Sequence, residues 1–262
     1  MSLIYYAAGL FVSFLWGHVL LVFYGLIGSI TQVKKMSSAR DSLLAQQERR
    51  FIAFSIFAMC LTVTASNVFV QYPVYWFGLN ELLTYGAFTY PIAFLINDLT
   101  NRFYGPSAAR RVVYAGFFAG FFVSWILATP RLAIASSLAF LFGQLLDIVV
   151  FTPLRRKTWW KAPLAAALVG SALDTVVFFA LAFSNFFTFI DQMTGYANGS
   201  LMESVVFLGF ELPVWLSLAF GDFLVKIVMS LLMLIPYGTI LSAVGIPLYQ
   251  NSKDDSSFVG RK

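Results

Sequence analysis

The sequence predicts an all-α integral membrane protein, a polytopic bundle of about seven transmembrane helices with no sizeable soluble domain. Three observations carry that prediction: the scarcity of charge, the length of the apolar runs, and the placement of the bases between them. Of the 262 residues, 60% are hydrophobic and only 11% charged, against roughly a quarter charged in soluble domains. So few charges could not cover the surface of a water-soluble fold. The formal net charge of +5 would suit a nucleic-acid binder, but Lys and Arg cluster between apolar runs, as in loops that face anionic lipid and cytoplasm. Membrane lipid is the expected surrounding, and nucleic acid is not an expected partner.

The first run, 4–30, precedes the first charged residue, Lys34. Without a basic n-region and a short apolar core it does not read as a signal peptide, so a retained helix is expected. Further spans are expected at 51–70, 82–101, 112–128, 132–151, 162–183 and 212–236, the last starting earlier or broken near Pro213. Each run approaches or exceeds the roughly 17–25 residues a tilted helix needs to cross about 30 Å of hydrocarbon.

The connecting segments alternate in charge. Lys34, Lys35, Arg40, Arg49 and Arg50 face Asp41 and Glu48 in 34–50; Arg102, Arg110 and Arg111 lie in 102–111; Arg155, Arg156, Lys157 and Lys161 lie in 155–161. The segments 71–81, 129–131 and 184–211 hold one base, Arg131, with the acids Glu81, Asp191, Glu203 and Glu211. Positive loops on the cytoplasmic side then put the N-terminus outside and the C-terminus inside. The polar tail from Ser252 to Lys262 falls in the cytoplasm. Trp159 and Trp160 suit one interfacial belt, and Tyr72, Tyr75 and Trp76 the other.

Charged residues within spans are the candidates for function. A charge at a span's centre costs roughly 2.5–3.5 kcal/mol on insertion scales, yet Asp98, Asp147, Asp174, Asp222 and Lys226 all fall in or at the ends of spans. Asp98 with Arg102, and Asp222 with Lys226, have the i,i+4 spacing of a self-neutralising pair. Asp147 and Asp174 have no such local cation. Both lie in similar decapeptides, FGQLLDIVVF at 142–151 and VGSALDTVVF at 169–178, with Gly143 and Gly170 four residues before the acid. Gln144 and Ser171, three residues before, share the acid's face, and a glycine there admits a backbone or a flat ligand. Two such helices would present polar stripes to one central cavity holding Asp147 and Asp174, with Gln144, Asn97 and Lys226 close by. Asn67, Gln71, Asn97 and Gln144 add neutral donors and acceptors, each singly more often helix–helix glue than ligand contact. A single Cys, Cys60, and a single His, His18, leave no disulfide and no Cys or His metal cluster; no metal and no cofactor are expected.

From 51 onward the residues resemble a known family. SN at 66–67, VQYP at 70–73, GAFTYPIAFLINDLTNRFYG at 86–105 and ARR at 109–111 are similar to the vitamin uptake transporter family of inner-membrane proteins. RLAIAS at 131–136, GQLLDIVVF at 143–151, RRKTWWKAP at 155–163, SALDTVVFFALAF at 171–183 and DFLVKIVMSLLMLIPYG at 222–238 continue the likeness. The resemblance implies a six-helix transporter core over 51–248, similar in fold to the substrate-binding components of energy-coupling-factor vitamin transporters. It further implies import of a queuosine precursor, a 7-deazaguanine base. Residues 1–50 depart from the pattern as an extra N-terminal transmembrane helix and charged loop, and 249–262 form the tail. A guanine-like face presents two parallel donors that one carboxylate accepts together. Its carbonyl and ring nitrogens want donors, and its ring wants an aromatic or glycine-lined slot. Asp147 or Asp174, with Asn97, Gln144 and Lys226, supplies that set; Asp98, Asp222, Asn67 and Gln71 are further candidates.

Other classes fit less well. No GxxxxGK[ST] phosphate loop occurs, so an ATP-driven form would borrow an external ATPase motor. That reading, as the substrate-binding subunit of an energy-coupling-factor transporter, stays open, as does a homo-oligomer. Paired membrane aspartates also mark intramembrane aspartyl proteases, but the nearest match to their GxGD motif, Gly221–Asp222, has Ala219 in place of the first glycine. No enzymatic activity is expected.

Overall fold

The computed structural model describes residues 39–72, 74–75, 85–207 and 210–244. The expected span at 4–30, Lys34 and Lys35, Trp76, Glu81 and the tail lie outside the described residues. The chain forms α1 (Ala39–Phe69), α2 (Gly86–Tyr104), α3 (Pro106–Leu127), α4 (Pro130–Leu154) and α5 (Lys161–Phe183). A 3-10 turn (Asn185–Phe187), α6 (Thr188–Thr194), a hairpin of β1 (Ser204–Phe207) and β2 (Phe210–Pro213), and α7 (Val214–Ala243) follow. Among the described residues, five stretches are long and apolar enough to cross a membrane: Gln46–Phe69, α3, α4, α5 and α7. The protein is a multi-pass, all-α membrane protein.

Helix α2 is not among those five because Asn97, Asp98, Asn101 and Arg102 lower its hydropathy. It occupies the middle of the bundle, touching α1, α3, α4, α5 and α7. Its apolar face, with Ile92, Leu95, Ile96 and Leu99, is buried with Met59, Val112, Phe140 and Met233. Its polar face bonds to α4: Asn97 Nδ2 donates to the Gln144 carbonyl at 3.3 Å, and Asn101 Nδ2 to Thr152 Oγ1 at 3.1 Å. Apolar burial alone gives little preference for helix over lipid, so such bonds and close packing decide which helices meet.

Several boundaries differ from the hydropathy reading. The segment 34–50 is not all loop, since α1 is helical from Ala39. Of 102–111, the break between helices is the single residue Gly105, at φ 83, before Pro106 opens α3. A side chain at that φ is strained, and Pro at a first helical position forfeits no hydrogen bond, which fixes the corner locally. Pro213 ends β2 and α7 runs on unbroken to Ala243. The segment 184–211, expected as a plain connection, folds into α6 and an antiparallel hairpin with Val206 opposite Glu211.

Arg131, the exception to the charge alternation, ties that segment down. It is 2% exposed and its guanidinium meets Asp191 at 2.7 Å. It also donates to the Leu181 carbonyl at 2.8 Å, to Ser200 Oγ at 3.4 Å and to the Ser184 carbonyl. A cation fully paired inside the protein exposes no charge that would oppose the alternation rule. Trp159 packs on Gly238 of α7, where an added Cβ would stand 2.9 Å from its ring. Trp160 is exposed.

Candidate functional site

A narrow cavity of about 20 Å³ lies between α2, α5 and α7, lined among others by Tyr90, Phe94, Asp98, Ser171, Lys226 and Tyr237. From Tyr90 to Asp98 it follows eight residues of α2, about 12 Å at 1.5 Å per residue. Lys226 lies 5.7 Å from the Tyr90 ring centroid, so these two mark one end. Asp98 and Tyr237, both in its lining, mark the other.

The close approach of α4 and α5 sets both ends. A Cβ on Gly143 would stand 2.9 Å from Asp174 Cβ and 3.1 Å from the Gly170 carbonyl. A Cβ on Gly170 would stand 2.9 Å from the Gly143 carbonyl and 3.3 Å from Asp147 Cβ. Each glycine of the repeated decapeptide thus seats against the other helix's aspartate. What the glycines admit is backbone, which lets the antiparallel helices cross tightly and turns the two acids to different partners.

At the Tyr90 end, Lys226 Nζ bridges two acids, 2.6 Å from Asp174 Oδ2 and 2.5 Å from Asp222 Oδ2. Tyr90 donates its hydroxyl to Asp174 Oδ1 at 2.5 Å, and Thr175 donates to Asp222 Oδ2 at 2.7 Å. The ammonium also reaches Thr175 Oγ1 at 3.0 Å. One cation, two carboxylates and two hydroxyls form a closed network, with good geometry on every charge, as burial of ions demands.

At the Tyr237 end the balance differs. Asp147 is fully buried and accepts from Asn97 Nδ2 at 3.0 Å. Its carboxyl neighbours that of Asp98. Asp98 Oδ1, Asp147 Oδ1, Asn97 Oδ1, both side-chain polar atoms of Gln144 and the Tyr237 hydroxyl are buried with no partner among the described residues. Buried polar groups ordinarily have partners, so this concentration of orphans marks a place that binds something.

These placements revise the sequence reading. Neither Asp147 nor Asp174 is among the residues that line this cavity; they stand behind its two ends, and the lining carboxyl is Asp98. Asp98 and Arg102 do not form the expected pair, because the Arg102 guanidinium turns to the carbonyl of Arg155. Asp174 does have a cation, delivered from α7, and the local pair Asp222–Lys226 is part of that network. Gln144 and Asn97 sit beside Asp147. Asn67 lies away from the cavity, accepting from Ser124 Oγ at 2.5 Å, and Gln71 is exposed, donating to the Asn67 carbonyl at 3.4 Å. The sequence reading passed over Tyr90, Thr175 and Tyr237. A tyrosine inside an apolar run was the available signal, since its hydroxyl needs a partner when buried.

The comparisons with known proteins agree with this architecture. A family model described as "Putative vitamin uptake transporter" matches residues 84–129 and 121–240, which include every residue of both clusters. A protein of Haemophilus influenzae named "Probable queuosine precursor transporter" is 31% identical, over 76% of this chain and 90% of its own length. The "Queuosine precursor transporter" of Escherichia coli is 30% identical, over 75% of this chain and 89% of its own. One from Bacillus subtilis, also named "Probable queuosine precursor transporter", is 26% identical over 66% of this chain. No solved structure matches. With the family model spanning both clusters and two relatives similar over nearly their whole lengths, the chain belongs to the vitamin uptake transporter family.

Proposed function

We propose that this chain carries a queuosine precursor, a 7-deazaguanine base such as 7-cyano- or 7-aminomethyl-7-deazaguanine, inward across the cytoplasmic membrane. The similarity to transporters named for that substrate, over nearly their full length, supports the class. The observation that carries the assignment to a site is the cavity with Asp98 at one end and Lys226 at the other. Asp98 is placed to accept the adjacent ring N–H and exocyclic amine of a guanine-like face. Tyr90 and Phe94 offer rings against which a flat base can lie. The carbonyl edge finds donors in Ser171 or Lys226. The basic segments near Arg102, Arg110 and Arg155 face the cytoplasm, which puts the Tyr237 end of α2 nearer that side.

A cavity of about 20 Å³ holds a water molecule and not a bicyclic base. Loading therefore requires α7 to draw away from α2 and α5, and the Lys226 bridge between α5 and α7 is the contact such a movement would strain. The test is restoration of queuosine in the tRNA of a bacterium that neither makes the precursor nor has its own importer. Cells given low concentrations of the base should regain modified tRNA when this chain is present. Absence of modification at confirmed membrane levels of protein overturns the substrate.

A further inference from the structure

Binding a base at Asp98 leaves the Tyr237 end with one carboxyl more than the base can satisfy. Asp98 is 3% exposed and Asp147 0%, and an oxygen of each lacks a donor among the described residues. The ion pairs among those residues are Arg131 with Asp191 and Lys226 with Asp174 and Asp222, so no cation contacts either carboxyl. Two unit charges 4 Å apart repel by about 4 kcal/mol even at an effective dielectric of 20. A second observation points to the same spot independently. The Tyr237 hydroxyl, on a side chain 1% exposed, lines the cavity with Asp98 and has no partner, and the fully buried Gln144 amide has none on either atom.

The surrounding charges do not supply the missing cation. On α2 itself Arg102 bonds to the Arg155 carbonyl, and at the end of α4 Arg155 Nη1 bonds to the Asn101 carbonyl at 3.1 Å. On α5 Asp174 lies across the glycine crossing, and on α7 Lys226 is engaged by Asp174 and Asp222, so the titratable groups beside Asp98 are Asp147 and Tyr237. The charged residues of α1 and α3 lie in their N-terminal portions, at Arg40, Asp41, Glu48, Arg49 and Arg50 and at Arg110 and Arg111. Cys60 of α1 points to the Ala115 carbonyl of α3.

We propose that the Asp98–Asp147 pair is a proton site whose loading is coupled to movement of the base, so that the protein is a proton symporter. The proposal rests on the reading of the cavity as the route of a queuosine precursor. With one proton the pair carries a single negative charge. When Asp98 accepts the two donors of the base, the proton resides on Asp147, held beside Asn97 and Gln144. The base and the proton then leave to the same side, one proton accompanying each base, and no covalent bond changes. Carboxyl groups facing a bundle interior serve in proton relays of transporters generally.

The experiment uses the full chain purified into proteoliposomes with radiolabelled 7-cyano-7-deazaguanine. An inward-directed proton gradient should accumulate the base transiently several-fold above equilibrium, and a protonophore should abolish the overshoot. Adding unlabelled base to the wild type without a gradient should alkalinise the external medium by about one proton per base taken up. Asp147→Asn should lose the gradient-driven overshoot, and any uptake that remains should show no alkalinisation of the medium. The proton reading is overturned by wild-type exchange without response to the proton gradient, or by accumulation driven by a sodium gradient at fixed pH. An overshoot retained in Asp147→Asn overturns it as well. If that variant fails to fold, the wild-type alkalinisation decides alone. Absence of any base exchange by folded wild type overturns the substrate reading, and the proton proposal with it.

Discussion

The two ends of the cavity are built from similar decapeptides and balance a buried carboxyl in opposite ways. Asp174 receives an ammonium from α7 and a hydroxyl from α2, and all its partners are in place. Asp147, related to it across the Gly143–Gly170 contact, receives one amide and a second carboxyl. The difference comes from what each crossing faces. Asp174 looks toward the part of α7 that carries Lys226, and Asp147 toward the part of α2 that carries Asn97 and Asp98. A repeated local pattern sets the spacing of acid and glycine; the neighbour determines whether the acid serves as a structural bridge or as a site left open for binding.

That contrast predicts its largest effect at Lys226. Replacing it by Met leaves Asp174 buried, and Asp222 about a third exposed, without a cation, and breaking a buried pair from one side costs about 3–5 kcal/mol. Asp174→Asn, which keeps Lys226 paired with Asp222, should cost about 1.5–3 kcal/mol, the worth of one charged hydrogen bond. Asp147→Asn should lie within about 1 kcal/mol of the wild type, because an Asp–Asn pair carries the same charge as the singly protonated pair while Asn97 still finds an oxygen. Unfolding of the purified protein in mixed detergent micelles measures all three. Equal losses for Asp147→Asn and Asp174→Asn would erase the distinction between the two ends.

The glycines test what the ends share. A methyl at Gly143 or Gly170 meets the facing helix's carbonyl at about the same distance, 3.1 and 2.9 Å, and the facing aspartate's Cβ at 2.9 and 3.3 Å. Gly143→Ala and Gly170→Ala should therefore each destabilise by about 1–3 kcal/mol, as overpacking does. The double variant should lose less than the sum, since one widening of the crossing serves both. Additive losses in the same unfolding assay would mean that the two contacts are independent.

Hydropathy located α1, α3, α4, α5 and α7 because a span must be apolar over its length, and that signal is local; α2 was found from the apolar run at its start, despite the polar residues that lower its hydropathy. The partners of the polar groups were largely illegible because they are non-local. The i,i+4 rule found Asp222–Lys226, but the same ammonium reaches Asp174, 52 residues away, which no spacing along one helix reveals. The rule misread Asp98–Arg102, since a guanidinium near a helix end has a free carbonyl at Arg155 to compete for it. Likewise the lone base Arg131 and the acid Asp191 were each visible, but their pairing depends on how 184–200 folds back. The glycines in the decapeptides were legible as a close approach, though not as a reciprocal one.

The smallest effects belong to the polar span residues outside the cavity, and they bound the site by contrast with both ends. Asn67 links α1 to α3: its Oδ1 accepts from Ser124 at 2.5 Å, while Ser124 also contacts Ser136 of α4 at 3.2 Å. Hydrogen bonds between helices in a membrane are worth about 0.6 kcal/mol on average, because the separated helices also find partners. Asn67→Ala should then cost about 0.5–1 kcal/mol, with Ser124 retaining Ser136. Gln71 is exposed beyond the end of α1 and makes one long contact, 3.4 Å, to the Asn67 carbonyl. Gln71→Ala should leave stability unchanged within about 0.3 kcal/mol, the range of a surface change that removes no feature. Neither substitution should alter the affinity for 7-cyano-7-deazaguanine, measured by equilibrium binding to the purified protein, whereas Asp98→Asn should weaken it roughly 30-fold or more through loss of a charge-assisted two-acceptor edge. A loss at Asn67→Ala comparable to that at Asp98→Asn would move the binding site out of the α2–α5–α7 cavity and toward the α1–α3 interface.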